Sequence, residues 1–364
     1  MNGAQNCEVL IRCDANARVG MGHAVRCLAL ADELTKRDCR VRFALRNSAV
    51  GASLAGDAGY TVYEDPEAPG PNDADCGTIW LDSLLDELGI TVLVLDIRDS
   101  LPLAWLRQLR QRSPALLIVV IDDPSERRLA ADLAFYPPTP AALRLTWPDF
   151  NGLLRCGWDW VMLRPAFAAR THLGLADTPH TSPPRLLVTM GGSDPAGMTL
   201  LAVDALACLP EAFEPVLVLG KAFVHDNVLD QRLAALSRPF TVYRNVTDMA
   251  ALMRECQLAL AAFGVTAYEL AACGVPALYL ALTPEHADAC CGLATAGAAV
   301  CLGLAQETTA AAVGDAVRDL LRDPMRCHEI SRRAAALIDG RGVVRIAADI
   351  LAMFTRRETG DSYS

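Results

Sequence analysis

Short apolar runs alternate along the first half of the chain with longer segments in which apolar residues recur at helical spacing. The run at residues 9–11 is followed by a predicted helix from His23 to about residue 37. Each run predicts a strand, and the runs lie at residues 9–11, 40–45, 60–63, 91–96 and 116–121. The last two are almost wholly apolar, which is typical of strands covered on both faces. Strands that alternate with helices predict a doubly wound parallel sheet.

The segment at residues 135–150 interrupts this alternation. Its prolines at positions 137, 138 and 140 fix φ and remove backbone donors, so we expect neither a helix nor a central strand to continue there. Residues 171–184 are polar and end in two prolines, which favours a linker between domains.

A second cycle of strands and helices begins after this linker. Its predicted strands lie at residues 185–190, 215–220, 240–243, 258–261 and 277–281, and helices fill most of residues 308–354. The sequence therefore predicts an α/β fold with two doubly wound, Rossmann-like domains. We place these domains at residues 1–170 and 185–340, with the linker at 171–184 and a C-terminal helix and tail at 341–364. A cleft between two such domains is a common place for a ligand.

Composition limits the classes of partner. The 364 residues carry a formal net charge of −10, so we expect no broad binding to nucleic acid or to anionic membranes. The 13 cysteines show no CxxC spacing, so no zinc site is expected. The first residues lack a basic and apolar leader, and no apolar run is long enough for an integral membrane segment. We therefore expect a cytoplasmic protein with reduced thiols that acts as a monomer.

The stretch after the first apolar run carries the first candidate chemistry: Asp14, Gly20, Gly22, His23 and Arg26. It lies between a predicted strand and a predicted helix, where open parallel sheets bind ligands. The glycines permit close backbone approach, and His23 exchanges a proton near neutral pH. We predict that His23 is a general base and that Asp14 orients it or the substrate. In the alternative, His23 only caps the helix and Arg26 pairs with Asp14.

The second candidate is Gly191, Gly192, Ser193 and Asp194, which follow the first predicted strand of the second domain. Paired glycines at the start of a helix present backbone N–H groups to an anion, so this loop predicts a phosphate-binding site. The alternative is an ordinary turn in which Ser193 or Asp194 caps the helix.

Two further loops follow later strands. In Gly264, Val265, Thr266 and Glu269, the threonine hydroxyl would hold a phosphate and the glutamate would accept the two hydroxyls of a ribose. The alternative is a core helix whose Glu269 forms a surface ion pair.

Glu285 and His286 follow the strand at 277–281 and are predicted to reach the ligand. A metal site is not favoured, because no second histidine lies at helical spacing from His286.

Together these motifs resemble a known family. The chain is similar to the UDP-sugar hydrolases of pseudaminic acid biosynthesis and their spore-coat polysaccharide relatives, which belong to the MurG-like GT-B proteins. The residues that carry the resemblance are Arg12, Cys13 and Asp14 with residues 20–31, residues 121–123, residues 157–167, residues 191–195 with Thr199, and Thr266 with Glu269.

The resemblance implies a reaction. In the family, the histidine of the glycine loop activates water, which attacks the anomeric carbon of a UDP-linked 2,4-diacetamido-2,4,6-trideoxyhexose. The C–O bond breaks with inversion and UDP leaves, with no metal or other cofactor. His23 matches that base and Asp14 its neighbour. The loop at 191–193 would hold the diphosphate, and Thr266 and Glu269 would hold phosphate and ribose.

Three departures from the family pattern leave the sugar and the acceptor open. The loop at 263–266 keeps one glycine, Glu285 and His286 replace a polar pair, and residues 135–137 replace a polar strand end. If a sugar hydroxyl replaced water, the same site would make a glycosyltransferase, which would act in surface polysaccharide or flagellin glycosylation. A third possibility is a nucleotide-sugar-binding protein without turnover.

Overall fold

The computed structural model describes residues 7–15, 21–46, 48–65, 76–168 and 183–359. Gly20 and most of the predicted linker, residues 171–182, lie outside these described residues. The described part of the chain contains two parallel sheets, one of seven strands and one of six. This arrangement confirms the predicted α/β fold with two Rossmann-like sheets.

The strands of both sheets are short, and most are nearly fully buried. In chain order they are β1 (Glu8–Cys13), β2 (Arg40–Leu45), β3 (Thr61–Glu64), β4 (Val92–Asp96), β5 (Leu117–Ile121), β6 (Leu133–Tyr136), β7 (Leu153–Cys156), β8 (Arg185–Thr189), β9 (Glu214–Leu219), β10 (Thr241–Arg244), β11 (Leu258–Ala262), β12 (Ala277–Ala281) and β13 (Val300–Leu304).

Helices follow most of the strands, as parallel pairing requires. In chain order they are α1 (Gly22–Thr35), α2 (Ala49–Asp57), α3 (Cys76–Glu87), α4 (Leu103–Arg112), α5 (Pro140–Leu143), α6 (Pro165–Ala168), α7 (Met198–Ala207), α8 (Asp226–Ala234), α9 (Met249–Arg254), α10 (Val265–Ala272), α11 (Pro284–Thr295), α12 (Ala310–Leu321), α13 (Pro324–Leu337) and α14 (Gly342–Thr359).

The chain divides into two compact units. The first contains the chain up to Pro138, residues 142–164 and everything from Arg341 onward. The second contains residues 139–141 and 165–340. The C-terminal helix α14 therefore belongs to the first unit, where Val343 and Ile346 are buried in the same core as α1.

The first unit has the strand order β3-β2-β1-β4-β5-β6-β7. Alternate residues of β1 face opposite cores: Val9 and Ile11 pack with α1 and α14, and Leu10 packs with residues of α3 and α4. Both faces are thus covered, which explains why the central strands are apolar throughout. The order reverses between β1 and β4, and ligands bind at such a switch point in open α/β sheets.

The second unit repeats this plan with the order β10-β9-β8-β11-β12-β13. Its core lies between the sheet and helices that include α7 and α12, with Leu206 and Val317 fully buried. The switch point lies between β8 and β11, so the loops after these two strands share one edge of the sheet.

Three strands were not predicted: β6, β7 and β13. β6 pairs with both β5 and β7, and it overlaps the segment at residues 135–150 only in its last two residues. It ends at Tyr136, directly before Pro137, so proline terminates the strand without excluding it. β7 and β13 have only four and five residues, too few to show a clear period of two.

The start of α14 generates a stability prediction. A Cβ added at Gly342 would lie 2.1 Å from the carbonyl oxygen of Val161. Gly342→Ala is therefore accommodated only if the backbone at Gly342 and the backbone at Val161 move apart. We expect a loss of about 1–3 kcal/mol in the free energy of unfolding, measured by urea titration. Gly56→Ala in α2 is the matched control, because a Cβ there meets nothing within 4 Å. It should be neutral or stabilise by up to about 1 kcal/mol. Equal unfolding midpoints for the two variants would contradict the packing argument.

Candidate active site

Three adjacent strands of the first unit end in aspartates. Asp14 follows β1, Asp96 ends β4, and Asp122 follows β5. Cys13 is the register partner of Asp96, and the backbone N–H of Asp14 donates to the Asp96 carbonyl at 3.2 Å. The carboxylates are therefore gathered at the switch-point edge of the sheet.

Asp96 is the centre of this edge and is fully buried. Its Oδ1 lies 2.6 Å from His23 Nδ1 and 2.5 Å from Arg26 Nη2, and its Oδ2 lies 2.6 Å from Arg26 Nε. Cys27 Sγ also contacts Oδ2 at 3.4 Å. His23, Arg26 and Cys27 are three and four residues apart, so one face of the first turns of α1 meets this carboxylate.

The electrostatics of Asp96 follow from these contacts. Burial by itself would raise the pKa of Asp96, but the positive charge of Arg26, the adjacent His23 ring and the hydrogen bonds from both side chains hold it well below the usual range. Burial likewise acts to lower the pKa of Arg26, yet the Asp96 carboxylate raises it overall. Asp96 is therefore an ionised acceptor at neutral pH.

An ionised carboxylate has no proton to donate, so His23 Nδ1 must carry the hydrogen in this contact. Arg26 Nη2 lies 3.2 Å from the same nitrogen, but the contact with Asp96 is shorter and charge-assisted, and it sets the tautomer. In the neutral ring Nε2 is then the proton acceptor. The His23 side chain is 13% exposed, so the ring is not sealed from solvent.

Asp14 has different partners from those expected. Its carboxylate accepts from Arg12 Nη1 at 2.9 Å and from the backbone N–H of Arg98 at 2.6 Å. Arg26, which in the alternative interpretation would pair with Asp14, pairs with Asp96 and Asp122. Asp96, at the end of β4, therefore makes the contact with the His23 ring that was predicted for Asp14.

The same edge continues as a chain of ion pairs, some buried and some partly exposed. Arg12 is almost fully buried and donates to Asp99 at 2.7 Å. Arg127 contacts Asp99 and Asp123, each at 2.9 Å. Asp122, with a left-handed φ of 51°, accepts from Arg98 at 2.9 Å. These pairs connect the loops that follow β1, β4 and β5.

In the second unit, the loop after β8 contains Gly191 with φ 85° and Gly192. A Cβ on the facing Gly220 would lie 2.4 Å from the backbone of Gly192. The loops after β8 and β9 are therefore in direct backbone contact at these two glycines. Asp194 is buried, and its carboxylate accepts from the N–H groups of Met198 and Thr199 at 2.8 and 2.7 Å. This is the capping arrangement of the alternative interpretation for Asp194.

The loop after β11 leads into α10 through Gly264, where a Cβ would meet open space. No side chain caps α10 among the described residues, unlike α7. Val265 and Thr266 are half-buried on the first turn, and Glu269 is buried one turn further along. The alternative in which Glu269 lies on the surface does not hold.

Glu285 and His286 lie on the first turn of α11. The His286 ring is 6.3 Å from the Phe263 ring, centroid to centroid, so the loops after β11 and β12 meet. Backbone and Thr283 hydrogen bonds lower the pKa of the exposed Glu285, and burial lowers the pKa of His286. The Nδ1 atom of His286 is buried, and no atom in the described part of the chain forms a hydrogen bond with it.

The structure therefore brings the predicted residues together in two groups. Gly22, His23 and Arg26 share the edge of the first sheet with Asp14, and the predicted residues at 191–194, 264–266, 269, 285 and 286 lie at the matching edge of the second sheet. Asp96 was not among the site residues predicted from the sequence. The sequence does contain one indication of it, because the apolar predicted strand at residues 91–96 ends in this acidic residue. Asp122 gives the same signal.

Within the described ranges, no group of three His, Cys, Asp or Glu side chains is arranged to hold a metal ion. None of the described helices is long and apolar enough to cross a membrane.

No family model matches the chain. The chain is 24% identical over 351 residues to the spore coat polysaccharide biosynthesis protein SpsG of Bacillus subtilis, covering 94% of this chain and 97% of that protein. A segment of 124 residues is 36% identical to the UDP-N-acetylglucosamine–N-acetylmuramyl-(pentapeptide) pyrophosphoryl-undecaprenol N-acetylglucosamine transferase of Thiobacillus denitrificans, covering 33% of this chain and 34% of the transferase.

Among solved structures, MurG of Acinetobacter baumannii superposes with a TM-score of 0.70 at 14% identity, covering 96% of this chain and all of that one. The chain has a GT-B fold. HepE of Anabaena, solved with UDP-glucose, has a TM-score of 0.58 at 15% identity, with coverage of 96% and 100%. MnaA of S. aureus, solved with UDP, has a TM-score of 0.64 at 15% identity, with coverage of 95% and 96%.

The buried carboxylate generates a stability prediction. Asp96→Asn should lower the free energy of unfolding by about 3 kcal/mol at pH 7, because the buried Arg26 loses its counter-charge. Since the native pKa of Asp96 is depressed, its stabilisation is present above about pH 4 and is lost as the pH falls below that value. Urea titrations at pH 7 and pH 3 should show a wild-type advantage that shrinks at pH 3.

Asp122→Asn is the matched control, because that carboxylate is partly exposed. It should lose less than about 1 kcal/mol. Equal losses for the two variants, or a difference for Asp96→Asn that does not change with pH, would refute the assignment of Asp96 as the ionised centre.

Proposed function

We propose that the protein is a metal-independent, inverting nucleotide-sugar hydrolase that releases UDP from a UDP-2,4-diacetamido-2,4,6-trideoxyhexose in nonulosonic (pseudaminic-type) acid biosynthesis. The observation that carries the proposal is the 2.6 Å contact between buried Asp96 and His23 Nδ1. It fixes the ring and leaves Nε2 as a base, which is the arrangement that general-base catalysis requires.

In the proposed reaction, His23 Nε2 takes a proton from water while the water oxygen attacks the anomeric carbon. The bond between that carbon and the phosphate oxygen breaks, and its electron pair leaves with UDP. Attack opposite the leaving group inverts the anomeric centre. Asp96 stabilises the imidazolium that forms, and Arg26 holds Asp96 in place. Gly20 and Gly22 would allow close approach of the backbone to the sugar, and Asp14 would orient the substrate.

The second unit would hold the nucleotide. Within the described ranges no side chain caps α10, so its first N–H groups and the Thr266 hydroxyl are suited to a diphosphate. Gly191, Gly192 and Ser193 at the neighbouring strand would add backbone contacts, while Asp194 shapes that loop by capping α7. Glu269 would accept the ribose hydroxyls, and Glu285 and His286 would line the nucleotide. The UDP and UDP-glucose bound by two GT-B neighbours support this choice of nucleotide.

A glycosyltransferase is the second candidate, in which a sugar hydroxyl replaces water. The segment similar to the Thiobacillus denitrificans transferase favours it, and so does the name of the Bacillus subtilis relative, which places that protein in polysaccharide biosynthesis. The same base serves either acceptor, so the two candidates differ only in what UDP release requires.

The first test measures UDP release with a coupled assay. A hydrolase should release UDP from the UDP-trideoxyhexose in buffer alone, at a rate unchanged by added carbohydrate acceptors. NMR of the fresh product should show the inverted anomer. Release that begins only after an acceptor is added would overturn the hydrolase and support the transferase.

The second test removes the base. His23→Ala should lower kcat by about 10² to 10⁴-fold, which is the usual contribution of general-base catalysis. UDP affinity measured by calorimetry should not change, because His23 belongs to the first unit. His328→Ala, at an exposed position of α13, is the matched control and should retain full activity. Near-normal turnover by His23→Ala would remove His23 from the mechanism.

A further inference from the structure

The second turn of α1 makes one contact with the buried carboxylate that the proposed function does not use. Cys27 is fully buried, and its thiol donates to Oδ2 of Asp96, with Sγ and Oδ2 3.4 Å apart. Cys27 lies four residues after His23, so both side chains reach the carboxylate from one face of the helix. The thiol is therefore in direct contact with the group that orients the proposed base.

The two oxygens of Asp96 each have two side-chain partners among the described residues. Oδ1 lies 2.6 Å from His23 Nδ1 and 2.5 Å from Arg26 Nη2. Oδ2 lies 2.6 Å from Arg26 Nε and 3.4 Å from Cys27 Sγ. Without the thiol, Arg26 alone would hold Oδ2, and leaving a buried acceptor short of a donor is costly. The orientation of the carboxylate thus depends on Cys27 as well as on Arg26.

The hydrogen in this contact belongs to the thiol. Burial raises the pKa of Cys27 well above its ordinary value, and so do its hydrogen bond with Cys13 and the charge of Asp96. Asp96 is ionised, so the S–H group donates and the carboxylate accepts. A thiol is a weak donor, but hydrogen bonds with an ionised partner are stronger than those between neutral groups.

We propose that Cys27 is a positioning residue that holds the Asp96 carboxylate in the orientation required to aim Nε2 of His23 at the acceptor. It acts through Asp96 and is not itself placed at the reacting atoms. The inference rests on the proposed role of His23 as the base, and it applies equally to water and to a sugar hydroxyl as the acceptor.

The kinetic test removes the donor. Cys27→Ala should lower kcat for UDP release by about 3- to 10-fold, the usual range for the loss of one hydrogen bond. KM should not change, because Cys27 lies in the first unit and the nucleotide is assigned to the second. UDP release is measured in buffer alone and with carbohydrate acceptors, so that either reaction is detected.

The pH profile distinguishes positioning from packing. An Asp96 carboxylate with one donor fewer attracts the imidazolium proton of His23 more strongly, so the acid limb of the kcat profile should move to higher pH in Cys27→Ala. The other ionisable groups around this pair are present in every variant: Arg26 on α1, Cys13 and Asp14 at the end of β1, and Asp122 after β5.

Two further variants serve as comparisons. Cys27→Ser keeps a hydroxyl donor, so it should retain more of the kcat than Cys27→Ala and a profile nearer that of the wild type. Packing alone predicts the reverse order, because Cys27 lies in an apolar core where alanine is tolerated better than serine. Cys256→Ala is the matched control, since that buried thiol donates to the backbone carbonyl of Leu252 in the second unit. It should keep the wild-type kcat and profile.

A second readout does not depend on turnover. The chain contains six histidines, so ¹⁵N-histidine labelling gives few ring signals, and those of His23 are identified by their absence from His23→Ala. In the wild type they should show the tautomer with the hydrogen on Nδ1. Cys27→Ala should shift these signals, and Cys27→Ser should return them toward the wild-type positions. Circular dichroism checks that each variant is folded.

The two readouts separate this inference from the proposed function. If no UDP is released under any condition while Cys27→Ala still shifts the His23 signals, the proposed function fails and the contact from Cys27 through Asp96 to His23 stands. Unshifted His23 signals in folded Cys27→Ala would overturn the inference whatever the turnover. So would a kcat in Cys27→Ala equal to or above that of Cys27→Ser, which would assign Cys27 to packing.

Discussion

An ionised carboxylate buried without water must be paired, and Asp96 satisfies this constraint through α1. Two hydrogen bonds from Arg26 and one from His23 surround its oxygens. Because these donors lie on one helix face, the position of α1 over the end of β4 is fixed by charge as well as by apolar packing. The orientation and tautomer of His23 are therefore consequences of how the first unit folds.

The same constraint explains the surrounding arginines. Parallel strands bring their carboxyl ends to one edge, so aspartates at the ends of β1, β4 and β5 would repel one another if left unpaired. Arg12, Arg98 and Arg127 lie among them and connect each loop to the next. Such a network resists displacement of any single loop, which suits the proposed role of His23, because misplacing a reacting group by about 1 Å can cost about 10²-fold in rate.

The sequence predicted those features that depend on neighbouring residues. The apolar runs at β4 and β5 matched their strands, and the loops after β1, β8 and β11 were identified as candidate ligand sites. The prolines after Tyr136 end strand β6, as the sequence predicted, but the strand itself was not identified. The pairing of His23 with Asp96 joins residues 73 positions apart. It depends on the strand order, with β4 beside β1, which periodicity does not encode.

The two candidate phosphate sites of the second unit differ in whether a protein side chain already caps the helix. In α7 the carboxylate of Asp194 already accepts from the N–H groups of Met198 and Thr199. The negative charge that a helix N-terminus favours is therefore supplied by the protein itself. α9, α11, α12 and α13 also begin with a side-chain cap, supplied by Asp248, Thr283, Thr309 and Asp323. α10 begins instead after Gly264, where a Cβ would meet nothing within 4 Å, and no side chain of the described residues caps its first N–H groups. A diphosphate bound there would complete the helix without displacing a protein carboxylate. For that reason Thr266, rather than Asp194, is the residue on which the nucleotide assignment depends.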